Sequence, residues 1–205
     1  PVLRISFEES NLKITNETSQ IIEAIVYPER ATNKKINWSI SDNTIADIVS
    51  ISNTKARITG LKPGITTINA VAHDASNDAS ATINLEVYQP VQKIELTPQS
   101  TSLESGKTTV LNFKIIPANA SNKTINWNSS VRTIADVLEN SIVYNVDRSQ
   151  GTITIAAARD DDNGVLGETY ITASCEDGIS ASSKIEVYQP VKDITDFQTS
   201  GGLTT

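Results

Sequence analysis

The sequence predicts an all-β chain folded as two tandem β-sandwiches, and three observations carry that prediction. The chain repeats itself: YPERATNKKINW, ending at Trp38, returns as IPANASNKTINW, ending at Trp127, and Thr44-Ile45-Ala46-Asp47-Ile48 returns as Thr133-Ile134-Ala135-Asp136-Val137, both at an offset of 89 residues. A period of that length is one small domain rather than a solenoid unit. The dominant hydrophobic period is two, and no window of helical length shows a 3.6-residue period. Clusters of Gly, Pro, Asn, Asp and Ser divide the β-branched runs into short segments, the pattern of a sandwich with frequent turns.

Taken in order, Gln20–Tyr27 alternates with Ile22, Ala24 and Val26 on one face, and Thr66–Ala72 and Ala81–Tyr88 follow as further strands. Their second-half counterparts are Thr108–Ile116, Thr169–Cys175 and Ser182–Tyr188. Turns are expected at Ser41-Asp42-Asn43, Lys62-Pro63-Gly64, Glu104-Ser105-Gly106 and Glu176-Asp177-Gly178. Trp38 and Trp127, the two tryptophans, each sit between polar neighbours in an alternating strand. An indole so placed is expected to plug the space between two sheets, with a ligand platform as the competing reading.

Val87-Tyr88-Gln89-Pro90-Val91 returns as Val187-Tyr188-Gln189-Pro190-Val191. Proline has no N–H to donate, so it stops a strand from running on. The expected boundaries are therefore a first domain at 1–89, a second at 90–189, and a tail or the start of a further module at 190–205. A linker of one or two residues forces neighbouring modules to touch, and the joint should be semi-rigid, unlike a Gly/Ser tether. The chain opens on Pro1-Val2, as the later repeats do, which suggests a piece of a longer protein.

Composition narrows the function. The 205 residues carry 17 lysines and arginines against 24 acids, a net charge of −7, without a basic run; nucleic acid is not an expected partner. One cysteine, Cys175, excludes an intrachain disulfide and a four-cysteine zinc site, and one histidine, His73, excludes a multi-histidine site within the chain. No apolar run is long enough for a spanning helix, so membrane insertion is not expected.

These residues together resemble the bacterial immunoglobulin-like domain of group 2. The first half shows Pro28, Ala31, Trp38, Ser41, Asp42, Ile45-Ala46-Asp47-Ile48, Gly60-Leu61-Lys62-Pro63-Gly64 and Ile68-Asn69-Ala70. The second shows Val91-Gln92-Lys93-Ile94, Gly106, Pro117, Ala120, Trp127, Ile134-Ala135-Asp136-Val137 and Gly167 with Ile171-Thr172-Ala173. The first half departs at the opening glycine turn, where Asn16-Glu17 stands for Ser105-Gly106; the second replaces a Gly-x-x-x-Gly hairpin by a longer loop. The resemblance implies seven-stranded immunoglobulin-like sandwiches without a disulfide and without catalytic residues. It also implies spacers or binding modules of intimin- and invasin-type adhesins, Gram-positive surface proteins and phage virion proteins.

The two halves differ most by an insertion: Asp47 to Gly64 spans 17 positions, Asp136 to Gly167 spans 31. Part lengthens Asn140–Gly151 and part enlarges a hairpin tip containing Arg159, Asp160, Asp161, Asp162 and Asn163. The three carboxylates could supply oxygens to calcium, but consecutive residues cannot all face one ion and the Asp-x-Asp-x-Asp spacing is missing. A solvated tip and a contact loop toward another surface are the other readings. No other metal and no cofactor is expected. His73 with Asp74 and the strand-end Cys175 carry weak catalytic signals, since no histidine lies in the half that holds the thiol. Asp47 and Asp136 are expected to cap turns or pair with cations. Lys13, Lys114 and Lys184 lie in or near strands with no apparent acid partner, which disfavours a lysine–asparagine crosslink.

No acid, base or nucleophile set recurs or converges, so an enzyme is not expected. The first expectation is a non-catalytic, extracellular structural or adhesion segment of a bacterial surface protein. Its partners would be a protein or a cell-surface glycan and neighbouring modules of its own chain. The alternatives are display domains on a bacteriophage virion, and an accessory module of a secreted glycan-degrading enzyme.

Overall fold

The computed structural model describes residues 1–73, 79–159 and 166–190. The first half contains β1 (Arg4–Ser6), β2 (Asn11–Thr15), β3 (Ser19–Glu23), β4 (Ile25–Tyr27), β5 (Ile36–Ile40), β6 (Ala46–Ser50), β7 (Lys55–Gly60), β8 (Gly64–Ala72) and β9 (Ser80–Tyr88). One layer is the sheet β2-β9-β8-β5; the other is β3-β7-β6 with the short pair β1-β4 beside it. Leu12, Ile22, Ile58, Ile68 and Leu85 meet between the layers, each less than a tenth exposed. Burying each such side chain stabilises by about 1.5–3 kcal/mol.

The second half repeats this plan with β10 (Lys93–Thr97), β11 (Ser100–Glu104), β12 (Thr108–Ile116), β13 (Asn126–Ser129), β14 (Ala135–Val137), β15 (Val143–Tyr144), β16 (Gln150–Ala157), β17 (Gly167–Ser174) and β18 (Ser180–Tyr188). The layers are β11-β18-β17-β13 and β10-β12-β16-β14, and β15 adds to β16. A 3-10 turn at Glu139–Ser141 is the one helical element among the described residues. In both halves the second strand pairs parallel with the last, β2 with β9 and β11 with β18, and every other pairing is antiparallel. The core clusters divide at the same place. Two draw only on residues up to Ala81 or Val87, and two only on residues from Val91 or Leu103 onward.

The alternation read from sequence is the alternation that is buried. In β9, Ile83, Leu85 and Val87 face inward; in β18, Ser183, Ile185 and Val187 do. One predicted strand differs. Gln20–Tyr27 is interrupted at Ala24, whose N–H leaves the ladder and donates to Thr54 O at 2.8 Å. The corresponding β12 runs unbroken through Phe113, the residue at Ala24's place.

The two opening turns share a backbone conformation but not a residue type. Gly106 has φ +74° and Glu17 has φ +62°. A side chain at positive φ costs about 1–2 kcal/mol, less the entropy that glycine adds to the unfolded chain. Glu17→Gly should therefore stabilise the first half by about 0.5–1 kcal/mol. A urea midpoint unchanged or lowered would contradict that.

Candidate interaction surfaces

Two tyrosine-led segments have the same sequence and different surroundings. At the first, β9 ends on Tyr88, and the next residues cross into the second half. The Tyr88 hydroxyl donates to Asp177 Oδ1 at 2.7 Å, and the Val91 N–H donates to Asp177 Oδ2 at 2.7 Å. Between them, Gln89 N donates to Ser121 Oγ at 2.9 Å, and Ser121 N donates back to Gln89 O at 2.8 Å. Asn16 Nδ2 reaches Gln89 Oε1 at 3.2 Å, and Lys13 Nζ lies 3.9 Å over the Tyr88 ring. Gln89 is 8% exposed and Val91 3%.

Local chemistry sets this geometry. Pro90 ends the ladder, and Gly178, at φ +79°, closes the tight β17–β18 turn that presents Asp177. Ser121 follows Ala120, whose N–H donates to Pro117 O at 3.1 Å. The carboxylate thus serves a phenol and a peptide N–H at once, a charge-assisted arrangement stronger than neutral pairs. The hydrogen bond to Asp177, then burial, then the negative charge of Asp177 with those of Cys175 and Glu176, push the Tyr88 phenol up to about 12. A cleft of about 350 Å³ runs beside the joint, lined from both halves by Ile65, Glu86, Val87, Asn119 and Ser121.

The part of the insertion at Glu139–Gln150 is built rather than loose. Ser141 Oγ accepts the Thr154 N–H at 2.9 Å, and Asp147 Oδ1 accepts the N–H and hydroxyl of Ser149 at 2.9 and 2.7 Å. Those bonds from Ser149 hold the Asp147 carboxyl below the usual range. Arg148 sits at φ +58° with its guanidinium 4.4 Å over the Tyr144 ring, and Tyr144 meets Phe113 edge-on at 5.4 Å. Val146 at the tip is fully exposed and Val143 64% exposed. Gly151 is required here, because a Cβ would stand 2.1 Å from Val143 O.

The other sequence-predicted residues stand as follows. Arg159 is exposed and lies beside Gly106, while Asp160, Asp161, Asp162 and Asn163 lie outside the described residues, as does Asp74. Trp38 packs against Phe7, ring centroids 6.0 Å apart, and Trp127 against Phe113 at 5.6 Å; both indoles touch two core clusters and are half-buried. His73 is exposed, its Nδ1 3.1 Å from Asn37 Oδ1. Cys175 is half-buried at the edge of the second core, and its thiol is free. Asp136 pairs with Arg132 at 3.7 Å and accepts the Val137 N–H at 2.8 Å. The lysines are a correction: Lys13 pairs with Glu86 at 3.3 Å and Lys184 with Glu168, both across neighbouring strands at the surface. Strand pairing put Glu86 directly opposite Lys13 and Glu168 diagonal to Lys184, two residues before Tyr170 opposite it, a neighbourhood invisible in linear order.

Sequence reasoning treated Tyr88 as a strand end and Asp177 as a turn residue, and so missed their partnership. The available signal was the recurrence of Tyr-Gln-Pro-Val, which neither strand nor turn chemistry requires. Among the described residues, no group of three or more His, Cys, Asp or Glu side chains could hold a metal ion, and no helix is long and apolar enough to cross a membrane.

Comparison with known proteins adds the family. The model of the bacterial Ig-like domain (group 2) matches residues 1–83 and again 90–167. An Ig-like virion protein of Serratia phage KSP90 is 32% identical over 117 residues, 55% of this chain and 43% of that protein. An uncharacterised protein of Clostridium acetobutylicum is 26% identical over 184 residues, 90% of this chain and 17% of that protein. The chain thus spans less than half the length of either relative. Among solved structures, the titin I-band fragment I67–I69 is similar with a TM-score of 0.48 at 14% identity, covering 93% of this chain and 67% of that one. The Yersinia pseudotuberculosis adhesin InvE gives a TM-score of 0.44 at 10% identity, covering 89% and 58%. Two matches to one family model, over two β-sandwiches built on one plan, make this chain a member of the bacterial Ig-like domain (group 2) family.

Proposed function

We propose that the chain is a non-catalytic structural segment of a surface protein, a semi-rigid pair of Ig-like modules that carries a binding part away from the surface bearing it. The observation that carries this reading is the joint at Tyr88–Val91. Five hydrogen bonds between or beside the halves restrain a linker of two residues. A tether selected for free swivelling would be longer, polar and unbonded. Membership of an Ig-like family agrees with a structural role, and fold alone assigns no ligand.

Solution scattering tests the reading. The expected result is a profile fitted by one extended conformation of the pair, with a pair-distance distribution that does not change with salt. A broad distribution requiring bent and straight conformers together would overturn it.

A second reading is favoured by one observation, the 32% identity to a phage Ig-like virion protein. Under it, the pair would stand on a virus particle and touch host surface glycans. Binding of intact bacteria by the purified chain, competed by soluble glycan, would favour that setting. In either setting Asp160, Asp161 and Asp162, which lie outside the described residues, are not expected to hold calcium. Millimolar calcium should leave the melting temperature unchanged, whereas site-specific binding would raise it.

A further inference from the structure

We propose that Tyr188, Gln189 and Pro190 form a second docking end, built to take a further Ig-like module that presents a hairpin carboxylate where this chain has Asp177 and a turn hydroxyl where it has Ser121. This extends the spacer role proposed above and depends on it.

The first joint has a donating and a receiving side. Its donating side is Tyr88-Gln89-Pro90-Val91 on the last strand of a sandwich, and its receiving side is Asp177 and Ser121 of the next. The donating side recurs as Tyr188-Gln189-Pro190-Val191. Its backbone frame recurs too. Thr15 is opposite Tyr88 in the parallel pair β2–β9, and Glu104 is opposite Tyr188 in β11–β18. The next residue closes the strand in both: Asn16 N donates to Tyr88 O at 2.7 Å, and Ser105 N donates to Tyr188 O at 2.9 Å. The tyrosines are therefore presented by the same local geometry.

Their surroundings differ. Gln89 is 8% exposed, whereas Tyr188 is 46% exposed and Gln189 and Pro190 are exposed. Exposed Tyr188, Gln189 and Pro190, carried on the same strand-end backbone, match the donating half of the contact already formed at Tyr88. Part of the receiving side recurs in the first half. The first half carries Thr32, again a hydroxyl, at the place of Ser121, and its Val2 is fully buried as Val91 is. Two supporting residues differ at the second end: Ser102 stands where Lys13 covers the Tyr88 ring, and Ser105 stands where Asn16 reaches Gln89 Oε1. The second joint is therefore the weaker of the two.

The test builds the missing partner from this chain. A second copy of residues 91–189 placed directly after Pro190 reproduces the Tyr-Gln-Pro-Val joint. The expected maximum dimension grows by about 30–40 Å, one nine-residue strand plus the joint. Backbone relaxation should report one rotational correlation time for all three modules. The amide of the valine after Pro190 should exchange roughly tenfold more slowly than in the same protein carrying Asp177→Asn in the appended copy alone. Should that copy fail to fold, a copy of residues 1–89 placed after Gln189 regenerates Tyr-Gln-Pro-Val with Thr32 as the hydroxyl, and the rotational correlation time alone is read: one shared value is expected, and independent tumbling overturns the proposal. Independent tumbling of the appended module, with the first joint still rigid, overturns the proposal and leaves the spacer role standing. A flexible first joint overturns both. Concentration-dependent dimerisation of the original chain that Tyr188→Phe abolishes also overturns it, since the face would then serve a second copy.

Discussion

Phe113→Ala should destabilise the second module by about 3–5 kcal/mol and leave the first module's transition in place. Phe113 is 2% exposed at the centre of β12. Its ring meets the edges of two others, Trp127 at 5.6 Å and Tyr144 at 5.4 Å, in the tilted geometry that aromatic quadrupoles favour. It also fills the space over Gly151, where a Cβ would approach Phe113 Cζ to 2.7 Å. Truncation empties a site walled by β-strands that cannot collapse inward without breaking ladder bonds, so most of the cavity penalty remains. For a domain of ordinary stability, that is a third or more of the total.

The same substitution checks the independence of the two cores. Each module has one tryptophan, so urea unfolding followed in a Trp38→Phe background reports the second module alone, and in a Trp127→Phe background the first. Equal loss in both modules would show a shared interior and contradict the separation of the core clusters at the joint.

The joint should loosen in alkali, in a defined window. The Tyr88 phenol is pushed up to about 12, first by its hydrogen bond to Asp177. The docked state therefore favours the protonated ring more than the undocked state does, where the ordinary value near 10 applies. A group whose value is raised on docking gives its full contribution below the lower value and loses it as pH rises through the higher one. Docking is thus unaffected below pH of about 10 and weakens between about 10 and 12. The ring is partly open to solvent, so screening limits the coupling to about 1 kcal/mol. The ultraviolet difference between the protein and Tyr88→Phe isolates this one phenolate. Its midpoint should lie near 12 and move down toward 10 in Asp177→Ala. That variant also strips the acceptor from the Val91 N–H, so flexibility at the joint should rise more than in Tyr88→Phe. A midpoint indifferent to Asp177 would remove the partnership.

How much was legible beforehand depends on the range of the interaction. Alternation placed Ile83, Leu85 and Val87 inside because side-chain direction along a strand has a period of two, a property of the strand itself. The repeat placed both tryptophans in equivalent strands. The aromatic partners were not legible. At the position where the second module has Phe113, the first has Ala24, and where the second has Leu96, the first has Phe7. Both supply one phenylalanine to the indole, Phe7 from just after β1 and Phe113 from within β12. Volume is conserved across the sandwich rather than at a position, which a comparison of aligned residues hides. That exchange also accompanies the break in the first module's strand at Ala24, where β12 continues.

By itself, the sequence determined the all-β class, the repeat, the inward face of most strands and the abrupt strand ends before Pro90 and Pro190. These follow from periodicity, composition and the missing N–H of proline, all local along the chain. Only the tertiary structure decided that Asp177, a turn residue, is the partner of Tyr88 across the joint, and that Ser121 binds Gln89 from both backbone sides. Those contacts join residues 32 to 89 positions apart. Their geometry is set by how two separately closed sandwiches meet; the recurrence of Tyr-Gln-Pro-Val marks the place in linear order but does not name the partners.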